Sequence, residues 1–219
     1  MTALVIVGAG RHGREVEAYL RDIPEQVALL GYLDERKAVG THEGARVLGG
    51  FAVVPALREE HGTVAYITAT GDNRARAHLA TAADAAGLMP WSLVHPGAHL
   101  GPGCVVGPGC CLAPGTVLTR DVRVGLHCII NTGVTISHDC RIGDHVNLNP
   151  GVTVCGDVVL GRGCYVGAGA TVIDKVEIGA GTVVGAGAVV VDHLPPGVLA
   201  MGVPARVTRV LAAEADHAP

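Results

Sequence analysis

The chain has 219 residues, with 16 basic and 20 acidic side chains and a formal net charge of −4. The sequence contains no basic run that would indicate nucleic-acid binding. It also contains no basic amphipathic helix that would indicate binding to a membrane surface. The start, MTALVIVGAG, is typical of a strand rather than a signal peptide, and no apolar run long enough to span a bilayer is free of glycine and polar residues. We therefore expect a cytoplasmic protein.

The core must be built mainly from small aliphatic side chains, because 32 residues are glycine and only six are aromatic. The seven cysteines lie between residues 104 and 164 and form no C-x-x-C pair. We predict reduced thiols that fill the interior and no metal site.

The first 97 residues alternate between strand-like and helix-like segments. An apolar run at 3–7 precedes GAGRHG and a helical stretch, HGREVEAYLRDI. The segment VALLGYLD then ends a second strand at Asp34, and VAYITA at 64–69 precedes TGDN and a helix over about 74–86. This order predicts a small Rossmann-like α/β domain with a parallel sheet over residues 1–97.

The turn GAGRHG has the spacing Gly8-x-Gly10-x-x-Gly13, which lets a backbone approach a phosphate at a helix N-terminus. Asp34 is then placed to bind a ribose hydroxyl, and His12 to reach a sugar phosphate. A dehydrogenase is disfavoured, since so short a segment makes only half of a dinucleotide fold. We predict a half-site for a nucleotide-linked sugar; the alternative is a glycine turn that only packs strand on helix.

From His99 to Leu194 the chain divides into sixteen hexads without an insertion. The second position is Leu, Val or Ile in all sixteen, the sixth is small or aliphatic, and the third is glycine in eight. A helix does not have this period. A parallel β-solenoid does, with three hexads in each coil, so that residues three hexads apart are stacked. We predict that residues 98–219 form this solenoid and a carboxyl-terminal tail.

The ordered motifs GAGRHG, YLD, TGDN, HPGA, the hexads with SHDC, and GVPAR at 202–206 resemble one family. They are similar to the hexapeptide-repeat acyltransferases, in the subgroup of nucleotide-amino-sugar N-acetyltransferases and sialic acid O-acetyltransferases. The resemblance implies a left-handed parallel β-helix, a homotrimer, and acetyl-coenzyme A (acetyl-CoA) bound in a groove between neighbouring prisms.

Site residues follow from the resemblance. His138 and Asp139, at the fourth and fifth positions of their hexad, match the general base and its assisting acid. The implied substrate-binding residues are Gly8, Gly10, His12, Gly13, Asp34, Asn73 and Asn131. The implied acetyl-CoA-binding residues are Asn147, Gly156, Ala168, Gly185, Ala186, Pro204 and Arg206.

Gly156, one coil beyond His138, is expected to offer a backbone N–H to the oxyanion. Asn147 stands where some relatives carry a second histidine, so its role toward the acyl donor is open. His127 and His145 are also one coil apart, and we interpret them as solvated corner histidines rather than metal ligands.

We predict an acetyl-CoA-dependent N-acetyltransferase that acts on the amine of a nucleotide-linked amino-deoxysugar in surface glycan biosynthesis. One alternative is O-acetylation of sialic acid or another sugar hydroxyl. Another, from a different class, is a non-catalytic β-helix used for binding or assembly. The nucleotide base, the sugar and the acyl chain length stay open.

Overall fold

The computed structural model describes residues 1–23, 27–42 and 44–211, so the end of the predicted tail, residues 212–219, lies outside the described residues. Within the described ranges, none of the helices combines the length and the apolar character that crossing a bilayer requires.

The amino-terminal part is built on one six-stranded sheet. The strands in chain order are β1 (Thr2–Val7), β2 (Val27–Leu33), β3 (Gly40–His42), β4 (Ala45–Gly49), β5 (Val64–Thr68) and β6 (Met89–Pro90). Their spatial order is β3-β4-β2-β1-β5-β6, and only β3 runs antiparallel to its neighbour. The predicted Rossmann-like fold is confirmed. The chain crosses to the other side of β1 between β2 and β5, which makes the carboxyl end of β1 a topological switch point.

Three helices cover this sheet: α1 (Arg11–Leu20), α2 (Val54–His61), which follows a 3₁₀ turn at Phe51–Val53, and α3 (Asn73–Ala85). Successive side chains of β1 face opposite sides, as a strand requires. Leu4 and Ile6 pack in the cluster that contains Val16 of α1, whereas Val5 and Val7 pack in the cluster that contains Ala80 of α3. Residues of β1 are thus buried on both faces.

The predicted solenoid is present as a column of two-residue strands, one in each hexad. They are β7 (Leu93–Val94), β8 (His99–Leu100), β9 (Val105–Val106), β10 (Cys111–Leu112), β11 (Val117–Leu118), β12 (Arg123–Val124), β13 (Ile129–Ile130), β14 (Thr135–Ile136), β15 (Arg141–Ile142), β16 (Asn147–Leu148), β17 (Thr153–Val154), β18 (Val159–Leu160), β19 (Tyr165–Val166), β20 (Thr171–Val172), β21 (Glu177–Ile178), β22 (Val183–Val184) and β23 (Val189–Val190).

These strands form three parallel sheets, because each strand pairs with the third strand after it. Thr135, for example, pairs with Thr153, and Arg141 with Val159, both three hexads further on. The predicted stacking interval is confirmed, and the arrangement is consistent with the left-handed β-helix that the resemblance implies.

The interior follows the hexad pattern. Position two is buried from Leu112 to Val190, and position six from Cys110 to Leu194. The first coil is more open at position two, where Leu100 is 37% exposed and Val106 is half-buried.

Corner geometry explains the residues at position five, which take the left-handed backbone conformation from Gly103 to Gly187. Glycine fills most of these positions. Six others do so without glycine: Asp121, His127, Asp139, His145, Asp157 and Lys175. Asp and His tolerate this conformation better than most side chains.

Both ends of the solenoid depart from the regular repeat. At the start, β7 already pairs with β10, so the ladder begins one hexad before His99. Leu93 of β7 also belongs to the hydrophobic cluster of the amino-terminal part. At the end, β24 (Val198–Met201) joins the eight-stranded sheet and pairs antiparallel with β25 (Arg206–Val210).

Candidate active site

A histidine and a carboxylate meet on one edge of the solenoid. His138 Nδ1 lies 2.9 Å from Asp139 Oδ2, and both side chains are exposed, at 63% and 59%. An ionised carboxylate only accepts hydrogen bonds, so Nδ1 donates and the lone pair is left on Nε2. The pair therefore has the arrangement of a general base whose tautomer is held by an acid.

Gly156 lies one coil above His138, as predicted, and the imidazole rests against its α-carbon. A Cβ at residue 156 would stand 2.6 Å from Cε1 and 2.7 Å from Nε2 of His138. Only glycine leaves the ring this position. The N–H of Asp157 donates to the carbonyl of His138 over 2.9 Å, which ties the two corners together.

The three stacked aspartates of this edge share one backbone conformation. Asp121, Asp139 and Asp157 have φ values of 52°, 61° and 63°. Corner geometry alone accounts for an aspartate at this position. What distinguishes Asp139 is its contact with His138, whereas Asp121 bonds to the neighbouring Arg120.

A cavity of about 280 Å³ opens at the switch point of the amino-terminal sheet. Gly8, Gly10 and Asp34 line it, as their predicted role toward a nucleotide requires. Further lining comes from side chains that the sequence interpretation did not select, among them Glu35, Arg36, Lys37, Phe51 and Thr70. Ligands of open α/β sheets bind at this position.

The three glycines of the turn have different reasons to be glycine. Gly8 has a φ of +110°, and a Cβ at Gly13 would lie 2.3 Å from the Gly8 carbonyl oxygen. Gly10, by contrast, has an ordinary φ of −87°, and an added Cβ meets nothing within 4 Å. Gly10 also begins α1 without a side-chain cap. Open space beside an uncapped helix N-terminus is what an approaching phosphate needs.

Asp34 closes this turn. One carboxylate oxygen accepts from the N–H of Ala9 at 3.0 Å and the other from the N–H of Arg36 at 2.9 Å. Burial acts to raise the pKa of Asp34, but these donors and Lys37 outweigh it, so the pKa lies below its ordinary value. Lys37 places its ammonium 2.6 Å from the Ala9 carbonyl. The cavity thus has a cation beside the glycine turn, and its only signal in the sequence is that it closely follows Asp34.

His12 is held on the first turn of α1. Its Nδ1 lies 3.0 Å from Glu15 Oε2, while Tyr19 donates to the other oxygen of Glu15 at 2.8 Å. Burial acts to raise the pKa of Glu15, and these two hydrogen bonds lower it below the ordinary value. His12 Nε2 is buried without a hydrogen-bond partner.

Two predicted ligand residues form the junction between the two parts of the chain instead. Asn73 donates to the carbonyls of Gly163 and Cys164 at 2.8 and 3.1 Å. Asn147 is 3% exposed, and its Nδ2 donates to the Gly71 carbonyl at 3.0 Å. Its Oδ1 accepts from Asn131 Nδ2 at 3.2 Å.

These contacts correct the interpretation of two asparagines. The amide of Asn147 is satisfied and enclosed within the chain, so it is not available to an acyl donor. The amide of Asn73 is engaged in the same way, because its oxygen accepts from Arg76 at 2.8 Å. The oxygen of Asn131 carries no such contact among the described hydrogen bonds, so the substrate role of Asn131 stays a prediction.

The interpretation of His127 and His145 as solvated was also wrong. Their rings are stacked at 5.3 Å between centroids, and the ring of Tyr66 lies 6.0 Å from that of His127. Burial lowers the pKa of both, and with His127 and Arg76 nearby that of His145 falls to about 4. The amino-terminal part covers this corner, which the hexad pattern alone does not show.

Two of the implied acetyl-CoA residues, Ala168 and Ala186, lie on a different edge from His138, whereas Gly156 shares the His138 edge. Ala168 and Ala186 are exposed fourth-position residues that follow β19 and β22 of the eight-stranded sheet, whereas His138 follows β14 of the six-stranded sheet. Gly185 packs under Met201, and Pro204 is exposed in the following turn. Arg206, by contrast, lies 3.3 Å from Asp192, a fourth-position residue three coils beyond His138 on the same edge. One prism therefore keeps Ala168 and Ala186 apart from His138.

Comparisons with known proteins address both parts. The family described as the PglD N-terminal domain matches residues 3–83, and the bacterial transferase hexapeptide (six repeats) matches residues 92–120 and 157–192. A histidine-to-asparagine mutant of perosamine N-acetyltransferase from Caulobacter crescentus, solved with CoA and GDP-perosamine, is 37% identical. The alignment covers 95% of this chain and 98% of that one, with a TM-score of 0.88. The chain belongs to the hexapeptide-repeat sugar acetyltransferases.

Two further solved structures are similar to this chain. WeeI from Acinetobacter baumannii AYE is 25% identical, with 94% and 100% of the two chains covered and a TM-score of 0.85. The acetyltransferase domain of PglB from Neisseria gonorrhoeae FA1090, in complex with acetyl coenzyme A, is 26% identical, with 94% and 98% covered and a TM-score of 0.72. No curated protein matches the chain.

Proposed function

We propose that this acetyltransferase moves the acetyl group of acetyl-CoA to the amine of a nucleotide-linked amino-deoxysugar. The observation that carries the proposal is the combination of a phosphate-ready cavity at Gly10 with an exposed histidine–aspartate pair at His138 on one chain. The relative from Caulobacter crescentus, solved with GDP-perosamine and CoA, supports both substrate classes. A surface glycan pathway is the proposed setting.

The reaction needs a base and an oxyanion donor. The sugar amine attacks the thioester carbonyl carbon; a C–N bond forms, the C–S bond breaks, and coenzyme A leaves as the thiol. His138 Nε2 takes the proton that the amine loses and passes it to the departing thiolate, and Asp139 stabilises the imidazolium formed in between. Gly156 is proposed to offer its N–H to the oxyanion, since its amide has no acceptor among the described hydrogen bonds.

The division of labour is proposed to follow the fold. Residues 1–97 hold the nucleotide through Gly8, Gly10, Gly13, Asp34 and His12. Residues 98–219 perform the transfer, and Ala168, Gly185, Ala186, Pro204 and Arg206 bind acetyl-CoA. Asn131 is proposed to face the amino sugar. In the described residues all seven cysteines are free thiols, which supports a reducing compartment such as the cytoplasm.

A homotrimer is proposed because the edge of Ala168 and Ala186 and the edge of His138 are different edges of one prism. A neighbouring prism is needed to bring the two edges together. Co-assembly of a His138→Ala chain with an Ala186→Arg chain tests this arrangement. About a quarter of the sites of a random closed mixture then combine an intact base with an intact groove, so activity should return to that level. Two inactive variants that stay inactive together would contradict the shared site.

The substrate test is a panel of GDP-, UDP- and dTDP-linked amino sugars with acetyl-CoA, monitored by released thiol and by mass and NMR of the product. We expect turnover with at least one member, GDP-linked first, and acetyl on nitrogen. Acetyl on oxygen, or on sialic acid alone, would favour the O-acetyltransferase alternative. Absence of turnover with every acceptor would favour a binding protein.

A further inference from the structure

Arg76 of α3 is buried at the junction between the two parts of the chain. Its side chain is 1% exposed. Nε donates to the carbonyl of His127 at 2.8 Å, and Nη2 donates to the carbonyl of His145 at 2.6 Å. Burial lowers its pKa to about 10, so the guanidinium stays charged at neutral pH.

Side chains of α3 donate hydrogen bonds to backbone carbonyls of three successive coils. His127, His145 and Gly163 are fifth-position residues of one corner, each one coil after the last. Arg76 holds the carbonyls of the first two, and Asn73 holds that of the third. Each hydrogen bond of Arg76 ends on a neutral oxygen, and burying a charge in this way is costly. A neutral side chain would make a cheaper junction, so the charge calls for a role beyond packing.

The same guanidinium also reaches the nucleotide cavity. Its Nη1 donates to the carbonyl of Thr70 at 3.2 Å, and Thr70 lines the cavity together with Ala69 and Ala75. The next residue, Gly71, accepts from Asn147 of the solenoid. One wall of the cavity is thus tied to the coils on both sides of His138 in the sequence.

We infer that Arg76 is a positioning residue, which fixes the Thr70 wall of the nucleotide cavity against the solenoid and so sets where the bound sugar amine stands relative to the catalytic edge. This inference rests on the proposed function. It predicts a loss in the chemical step rather than in the binding of either substrate, because misplacement by about 1 Å is enough to cost about 100-fold in rate.

The test compares Arg76→Lys with a matched control, Arg58→Lys, since Arg58 lies against Gly87 within the amino-terminal part. We expect Arg76→Lys to lower kcat by about 10- to 100-fold. The KM for acetyl-CoA and the Kd of the free nucleoside diphosphate should stay within about threefold of wild type. Activities are normalised to the folded fraction. Should Arg76→Lys fail to fold, Asn147→Ala, which releases the same wall at Gly71, replaces it.

Three outcomes would overturn the inference: an unchanged kcat, a kcat loss that disappears on normalisation, or a loss explained by weaker nucleotide binding. Hydrogen exchange gives a second readout that needs no substrate. In Arg76→Lys, amides of residues 69–73 and 145–147 should exchange faster than in Arg58→Lys, while those of β1 stay protected. Unchanged protection would refute the coupling. If wild type acetylates no amino sugar, the proposed function fails and hydrogen exchange alone decides the inference.

Discussion

The imidazole of His138 lies against the α-carbon of Gly156, the residue one coil above it. A Cβ there would come within 2.7 Å of Nε2. The position of the proposed base therefore depends on the lack of a side chain at residue 156. The register of the solenoid places this residue one coil above His138.

Adding a methyl group at this contact should displace the base. We expect Gly156→Ala to lower kcat by about 100-fold, because the ring must move by about 1 Å. The KM for both substrates should change little. A double-mutant cycle with His138→Ala provides the control: without the imidazole, the methyl has nothing to collide with, so it should not reduce thermal stability further. A Gly156→Ala enzyme with full activity would show that the ring position is unimportant.

Removing the base itself should have the largest effect on the rate. His138→Asn should lower kcat by about 10²- to 10⁴-fold, as expected for loss of general base catalysis. Asp139→Asn should cause a smaller loss, because the base remains but its tautomer is held less firmly. Asp157→Asn is the matched control, since it has the same left-handed corner one coil above. Steady-state kinetics check all three, and equal losses in Asp139→Asn and Asp157→Asn would deny Asp139 a special role.

The glycine turn offers a pair of substitutions with opposite effects. Gly10→Ala introduces a methyl that meets nothing in the protein, so stability should stay within about 0.5 kcal/mol. The KM for the nucleotide sugar should nevertheless rise several-fold, because the methyl occupies space proposed for phosphate.

Gly13→Ala should mainly reduce stability, because its methyl would lie 2.3 Å from the Gly8 carbonyl oxygen. Overpacking of this kind costs about 1–3 kcal/mol, and each kcal/mol lowers the Tm of a chain this long by about 2–4 °C. Calorimetry and substrate titration separate the two effects. If Gly10→Ala left the KM unchanged, the phosphate site would lie elsewhere.

Acid should weaken the junction through His145, whose pKa falls from 6.5 to about 4 in the folded chain. Burial is the main cause, and the neighbours His127, Arg76 and Arg162 add to it, whereas Asp144 opposes it. Between these two pH values the unfolded chain binds a proton that the folded chain does not. Stability is therefore greatest above pH 6.5 and falls as the pH drops toward 4.

Thermal unfolding of wild type and His145→Asn at pH 7.5 and 4.5 measures this contribution. Between pH 7.5 and 4.5, the Tm of wild type should fall by several °C more than the Tm of the variant, because each kcal/mol of stability corresponds to about 2–4 °C. Exposed His78 of the same region provides the control, and His78→Asn should behave as wild type. If His145→Asn were as sensitive to acid as wild type, His145 would not take up a proton on unfolding.

The parts of the structure that depend on local repetition were predictable. A fixed period of six determines which residues face inward and which residues are stacked, so the neighbours His138 and Gly156 followed from arithmetic. The glycine turn and Asp34 were found in the same way, because a strand, a turn and a helix leave a local pattern. Lys37 has only its proximity to Asp34 as a signal.

The junction was not predictable because it depends on contacts between distant segments. Arg76 lies on a helix with ordinary composition, and nothing near it in the sequence shows that it is buried against a corner of the solenoid. The same holds for Asn73 and Asn147, whose amides are used between the two parts of the chain. His127 and His145 occupy fifth positions like other corner residues, and only contact with the amino-terminal part makes His127 buried and His145 half-buried.

The hydrogen bonds of α3 to three successive coils limit where the solenoid of this enzyme can change in length. A solenoid is held together by nearest-neighbour contacts, so whole modules of three hexads can be added or removed at its ends. His138 lies between His127 and Gly163, inside the span that is hydrogen-bonded to α3. Modules inserted after Gly163 would leave the separation between the nucleotide cavity and the base intact. One inserted within that span would break the match with α3, so evolutionary and engineered length variation should be confined to the carboxyl-terminal coils.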